Sequence, residues 1–438
     1  MTRLQNVASD QLAVAELDFE MLLRAAVFRS TNQLMGHLFQ KLADQIDAAY
    51  QPKPGFDRKG RAERTVDCIF GSFKILRDYY HHAGKQLGHY PADAALGLEN
   101  GKTPALCRLV CLEGADAASY QKAEEHLRDT GGIVISARQI QRLVQQIGAG
   151  AQSWQEREAR KPLPEAQPVP ILYVSGDATG VPMRQAELKG RKGRQPDGTA
   201  KTRSAYLGCV FTQHKTDEKG HPVRDYESTT YVSKMGPLRE FGPLLRQEAI
   251  RRGMGQAAKV VLLIDGASGL ERMGDLNFKD AIQIVDFYHA AEHASQVVEA
   301  LLGCKEHPEY KARRRRWVRR LLGNGIKNLI AETRDECAGR PQAQKVEEQL
   351  SYFVHNVERM QYRTFRRQGL FIGSGVIEAG CKTLIGSRCK QSGMFWSQPG
   401  AENILALRCI HASHRRDQFW KERLNSRVAA NDCLTLAE

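Results

Sequence analysis

Apolar residues recur at helical spacing through the first fifty positions: Leu12, Ala15, Leu22, Leu23 and Ala26, then Leu34, Leu38 and Leu42. The spacing predicts helix over 12–50. The stretch "QPKPGFDRKGRAER" (51–64) breaks the pattern with Pro, Gly and charge and reads as a loop or linker. "TVDCIFGSFKILRDYYHH" (65–82) crowds β-branched and aromatic residues around a Gly, which predicts two strands and a turn. Helical patterning returns from 103 to 148. "KPLPEAQPVP" (161–170), with four prolines, marks the clearest domain boundary. Short, nearly continuous apolar runs follow. "VPILYVSGD" ends at Asp177 and reads as a strand buried on both faces. "RSAYLGCVFTQH" (203–214) and "DYESTTYVSK" (225–234) are the second and third strands, and 236–254 is an amphipathic helix. "AKVVLLIDGA" (258–267) ends at Asp265, and "AIQIVDFYH" (281–289) leads into a helix. The predicted order is β-β-β-α-β-α-β, with antiparallel strands first and crossover helices after. Residues 303–360 are helical and charged, 373–390 and 399–416 are two further helices, and the end of the chain is expected to fray.

The chain has 438 residues, more than a single core of ~250–300 residues accommodates. Hydrophobic residues make up 42% and charged residues 26%, as in a soluble globular protein. No apolar run reaches the ~18 residues of a membrane span. Acidic residues occupy the N-terminal positions where a signal peptide would be apolar, so a cytoplasmic location is expected. Ten cysteines without a CxxC pair fit reduced, buried thiols. The net charge of +14 is unevenly placed. Residues 1–160 carry 20 Lys and Arg against 19 Asp and Glu, whereas residues 161–438 carry 44 against 31. A basic excess confined to one part points to a polyanionic partner, most often nucleic acid.

Asp177 and Asp265 each close an apolar strand, and ligands of α/β sheets bind outside the carboxyl ends of strands. Neighbouring buried carboxylates repel, and a hard divalent cation relieves that repulsion. A third acid, Glu378, follows the turn Gly373-Ser374-Gly375, whose glycines let the chain bend sharply into a helix. Two readings of Glu378 stand: a metal ligand, or an acid that complements the positive end of its helix. Each strand-terminal Asp likewise reads as a ligand or as a turn or cap residue.

The blocks "VSGDATGVPM", "LIDGA", "IVDFYHAAEH" and "GSGVIEAGCKTLIGSRCKQSGMFW" resemble, in order, those of bacterial insertion-sequence transposases of the ISKra type. These belong to the Mutator-like group of DDE transposases. The resemblance covers roughly 60–415. It implies an α/β fold: a ribonuclease-H-like mixed five-stranded sheet flanked by helices, interrupted by an all-helical insertion and preceded by a mainly helical N-terminal region. The implied divisions are 1–60, a DNA-end-binding region 61–160, the catalytic core at 168–302 and 366–420, the insertion at 303–365 and a tail at 421–438. The implied catalytic and metal-binding triad is Asp177, Asp265 and Glu378, holding two Mg²⁺ or Mn²⁺ ions. An Asp-x-x-His element falls on Asp286 and His289 and is expected to brace the site. The implied activity is cleavage of double-stranded DNA at terminal inverted repeats and strand transfer to target DNA, by a homodimer or higher oligomer associated with the bacterial nucleoid and no membrane. A non-catalytic DNA-binding remnant and a nuclease without strand transfer are the alternatives.

Several basic segments are candidate DNA contacts. "KARRRRWVRR" (311–320) has seven basic residues in ten, including Arg314, Arg315 and Arg316. It is either a solvated face or a phosphate-gripping helix. Trp317 in its midst is either a core residue or a platform for an unpaired base. Residues 184–203, with Arg191, Lys192 and Arg194, read as a basic loop, and Lys382 and Arg388 follow Glu378. The 119–148 segment has the cadence of a helix-turn-helix, with a turn at Gly131 and Gly132, a cap at Ser136, and Arg138 and Arg142 on the second helix. An ordinary helical hairpin is the other reading.

Overall fold

The computed structural model describes residues 12–158, 160–161, 169–190, 192–193, 198, 200–266 and 268–434. The chain divides into two compact units, residues 1–147 with 416–438 and residues 148–415.

In the first unit a long helix, α1 (Leu12–Ala49), lies on an antiparallel sheet of β1 (Asp57–Cys68), β2 (Gly71–His82) and β3 (Leu87–His89). Phe39 meets Phe73 of β2 edge-on at 5.2 Å, and Ala43, Val66, Ile75 and Leu98 fill the interior. β1 starts inside the segment expected to be a linker. Its charged residues alternate outward while Val66 and Cys68 turn in, so charge did not prevent a strand. The short α2 (Pro91–Ala95) precedes α3 (Pro104–Asp116) and α4 (Tyr120–Gly131), which ends at Gly132 in the left-handed conformation, φ 64°. α5 (Ala137–Glu158) runs ten residues past the expected end of the second helix, and the boundary between units falls within it. The stretch from 421, expected to fray, continues the helix Arg416–Leu434.

The second unit is built on a five-stranded mixed sheet. β4 (Ile171–Pro182), β5 (Thr202–Gln213) and β8 (Thr230–Met235) are antiparallel, while β9 (Lys259–Ile264) and β10 (Ile282–Val285) run parallel to β4. The order across the sheet is β10-β9-β4-β5-β8. A two-residue hairpin, β6 (Lys215–Thr216) with β7 (Pro222–Val223), lies between β5 and β8, and the one-turn α6 (Gln185–Leu188) lies between β4 and β5. α7 (Leu238–Arg251) and α8 (Ser268–Asn277) cover one face, where Leu172, Val174, Phe241, Leu245, Leu262 and Ile264 form a buried cluster. On the other face Tyr173 stacks on Phe211 at 4.9 Å and meets Phe371 at 5.3 Å.

After β10 the chain is helical: α9 (Phe287–Leu302), α10 (Tyr310–Leu322), α11 (Ile326–Cys337), α12 (Ala343–Asn356) and α13 (Tyr362–Arg367). α14 (Gly375–Gly380) then packs against β4 and β5 and passes into π-helical turns, Cys381–Gly386, and α15 (Ser387–Cys389). α16 (Gln398–Ala412) lies on β8. The widened turns leave carbonyls that Arg408 of α16 satisfies, donating to Leu384 O at 2.8 Å and Thr383 O at 2.7 Å. Among the described residues no helix is long and apolar enough to cross a membrane.

Candidate active site

β4 and β9 keep one register from Ile171 opposite Lys259 to Ser175 opposite Leu263. The ladder ends there: Asp177 continues in β4, opposite Leu207 of β5, while Asp265 follows the end of β9. Parallel neighbours in register project to one face, on strands ~4.8 Å apart. Asp265, two residues beyond the last paired position, is close enough for its charge to act on Asp177. Burial chiefly, and the Asp265 charge beside it, push the Asp177 carboxyl above its ordinary value. The Ala178 amide, which donates to Asp177 Oδ1 at 2.6 Å, the Cys381 thiol and the nearby His289 pull it the other way. The carbonyl oxygen of Asp265 accepts the Tyr352 hydroxyl at 2.8 Å, which fixes the turn that carries it.

Glu378 is half-buried on α14. Cys381, three residues on, donates its thiol to Asp177. Helix residues three apart are neighbours with Cβ atoms about 5–6 Å apart. One turn of helix therefore carries both Glu378 and the group that touches Asp177. Ser374 Oγ lies 3.0 Å from Glu378 Oε1. Among the described residues no three His, Cys, Asp or Glu side chains are already grouped to hold a metal ion. Asp177 feels the Asp265 charge, and Glu378 is turned to Ser374.

The glycines before α14 serve differently from expectation. Neither has positive φ. A Cβ on Gly373 would stand 3.0 Å from the Tyr288 ring, so the requirement is close approach rather than a left-handed turn.

Asp286 is fully buried and caps α9, accepting Tyr288 N at 2.6 Å and His289 N at 3.0 Å on Oδ1. Its Oδ2 accepts the Ser374 amide and hydroxyl. It thereby ties the start of α9 to the start of α14. His289 is partly exposed, 4.0 Å from Glu292.

The candidate DNA contacts divide. Arg138 and Arg142 are exposed on α5, and Lys192 and Lys382, elsewhere in the chain, are exposed too. Arg315 is exposed on α10; Arg314 is exposed and donates to Ser295 Oγ at 2.7 Å, and Arg316 pairs with Glu332 at 3.6 Å. Arg191 and Arg194 lie outside the described residues. Two expectations are corrected. Trp317 is 4% exposed and packs on Phe353 at 5.4 Å, so its ring holds α10 to α12 and offers no face to a base. Arg388 is fully buried, over the Trp396 ring at 5.1 Å and 3.3 Å from Met394 Sδ, so it serves packing and not a phosphate.

Ser374, Cys381, Tyr352 and Lys390 escaped the sequence reading. Lys390 is exposed and bonds to Thr179, two residues past Asp177. Its only sequence signal was a cation one helix beyond Glu378.

A model of an uncharacterised protein family (UPF0236) matches residues 8–202, less than half of the chain. No curated protein sequence matches. Among solved structures, a strand transfer complex of the Drosophila P element transposase is similar to this chain at 10% identity, covering 73% of this chain and 79% of that one, with a TM-score of 0.24. At that score the likeness carries nothing about function.

Proposed function

We propose that this chain is a metal-dependent DNA strand-transfer enzyme of the DDE type, acting on the ends of an insertion sequence. The observation that carries the reading is the parallel pairing of β4 with β9, whose register, carried two residues past its last pair, would bring Asp265 beside Asp177. The sheet order, three antiparallel strands and then two parallel ones, supports a ribonuclease-H-like core. The helices α10 to α13 stand where the sequence blocks imply an insertion.

Asp177, Asp265 and Glu378 would hold one or two Mg²⁺ or Mn²⁺ ions, which supply charge stabilisation for in-line attack on a phosphodiester, first by water and then by the freed 3′-hydroxyl. A half-buried carboxylate whose proton affinity is raised by burial and by a neighbouring acid is a donor that suits a hard cation. Cys381 orients Asp177. Asp286 and Ser374 hold α14 in place. Lys382 and Lys390 offer cations to phosphates near the acids, and Arg138 and Arg142 offer an exposed helix face to a groove.

The test is strand transfer with a pre-cut terminal-repeat oligonucleotide and Mg²⁺. Joined product supports the reading, and hydrolysis alone makes the chain a nuclease. Asp265→Asn abolishes cutting and spares end binding; a variant that still nicks removes the assigned role. The hold of Ser374 on Glu378 favours one rival, a non-catalytic DNA binder. That rival predicts metal-independent binding with no cleavage by the unaltered chain.

A further inference from the structure

α1 carries two apolar faces, and among the described residues only one is packed against the rest of the chain. Phe39, Ala43 and Ile46 pack on the sheet. Phe28 faces the same way and meets Phe70 at 5.7 Å. Around the helix, Leu23, Val27, Leu34 and Leu38 fall within ~60° of arc at 3.6 residues per turn, on another side. Phe19 and Leu42 extend this stripe at its ends. All six are open to solvent, from 42% for Phe19 to 59% for Leu34.

The stripe is symmetric about the midpoint between Ser30 and Thr31. Phe19 and Leu42 are equidistant from that point, as are Leu23 and Leu38, and Val27 and Leu34. The exposed Glu20 has Lys41 as its counterpart. A two-fold interface requires that residue i meet j while j meets i, and this arrangement meets that condition in an antiparallel pair. Large residues then face large residues, the small Ser30 and Thr31 meet at the axis, and each Glu20 faces a Lys41. A parallel pair in register would stack Glu20 on Glu20 and Lys41 on Lys41, which is repulsive. Six side chains at this exposure on each helix bury roughly 1,200 Å² in a pair, the lower edge of the range of stable interfaces.

We infer that the exposed stripe of α1 is a self-association surface, occupied by α1 of a second copy of this chain in antiparallel orientation about Ser30 and Thr31. The inference rests on α1 and not on the reading of the acid site.

The full-length protein tests it, with mass measured by light scattering on a sizing column. The unaltered chain is expected at about twice its 49.1 kDa, and Leu34→Glu with Leu38→Glu at the mass of one chain with its helical circular dichroism kept. Glu20→Lys alone and Lys41→Glu alone each weaken association about two- to five-fold, and the two together restore it. The charge variants leave the apolar stripe intact, so they report on pairing even if the leucine variant fails to fold. A monomeric unaltered chain overturns the inference, as it would if another protein or DNA covered the stripe. A dimer indifferent to the leucine variant, or charge variants that do not rescue each other, also overturns it.

Discussion

The hydroxyl of Ser374 lies 2.5 Å from Asp286 Oδ2 and 3.0 Å from Glu378 Oε1. A hydroxyl has one proton to give, and the shorter contact takes it. Asp286 is therefore held firmly and Glu378 loosely, which suits a brace and a ligand respectively. Asp286 accepts four donors in a fully buried position. Its loss orphans amides at the starts of both α9 and α14. Asp286→Ala is expected to lower stability by about 3–5 kcal/mol, since each orphaned buried donor costs about 1–3 kcal/mol. Ser374→Ala is expected to cost about 1–2 kcal/mol, because Oδ2 keeps an amide donor. Urea unfolding measures both. A loss under about 1 kcal/mol for Asp286→Ala would remove it as the link between the two helices.

The sign of the Asp177 shift fixes a pH dependence. Burial holds the carboxyl above its ordinary value, so the folded chain keeps a proton that the unfolded chain has released. In metal-free protein, stability contributed at Asp177 is lost as pH rises from the ordinary carboxylate value through the raised native one. Asp177→Asn removes that slope and melts higher near neutral pH. If the acids hold magnesium as proposed, the metal is expected to act oppositely on the unaltered chain: a hundredfold excess over the dissociation constant would add about 2.7 kcal/mol, and the Asn variant would gain little. Thermal melts across the acid-to-neutral range, with and without magnesium, separate these effects. Identical slopes in the two proteins would sink the account.

How far the sequence reached depended on what each residue's neighbours reveal. Asp265 was legible as an acid just past a strand because an apolar run precedes it, whereas Asp177, read the same way, lies inside β4. The pairing of their strands was not, since it depends on β9 choosing the β4 edge and on a register that no local pattern encodes. β4 itself continues past Asp177 to Pro182, because its second half pairs with β5 and lies on a more open part of the sheet. Charge misled at two places. In β1 it marked the outward face of a strand, and around Trp317 it marked the outward face of α10 while the indole turned in. Arg388 reads as a surface cation until Trp396 and Met394, some distance on, are seen to enclose it. The π-helical turns depend on Arg408, which lies on another helix.

Arginine and lysine near α14 are expected to behave differently under salt. Lys382 is exposed, whereas Arg408 is buried and spends its guanidinium on Thr383 and Leu384 carbonyls. Lys382→Ala is expected to leave stability within about 0.5 kcal/mol. It should weaken DNA binding and reduce the slope of log affinity against log salt by about 1, the loss of one phosphate contact. Arg408→Ala is expected to cost about 2–4 kcal/mol of stability, through carbonyls stripped of a charged donor, and to leave the salt slope of the folded fraction unchanged. Fluorescence anisotropy on a duplex at several salt concentrations, beside thermal melts, tells the two apart. A salt slope that moves with Arg408 and not with Lys382 would reverse the assignment.

Trp317 gives the sharpest separation of packing from binding. Its indole lies between α10 and α12 against Phe353, in the interior of the helical segment, while Arg315 beside it stays in solvent. Removing a buried indole costs the transfer of its surface and leaves a cavity, so Trp317→Ala is expected to lose about 3–5 kcal/mol. Trp317→Phe keeps a ring against Phe353 and should cost less than half of that. If the ring served as a platform for a flipped base, the Phe variant would bind a duplex with an unpaired end more weakly than the unaltered protein does, by about 1–3 kcal/mol if the stack were lost. With the ring enclosed, the expectation is equal affinity for paired and frayed ends in both proteins. Arg315→Ala is expected instead to weaken both kinds of end alike, as a phosphate contact does. Preferential loss of frayed-end binding in Trp317→Phe, with its melting temperature preserved, would require the indole to leave its pocket on DNA.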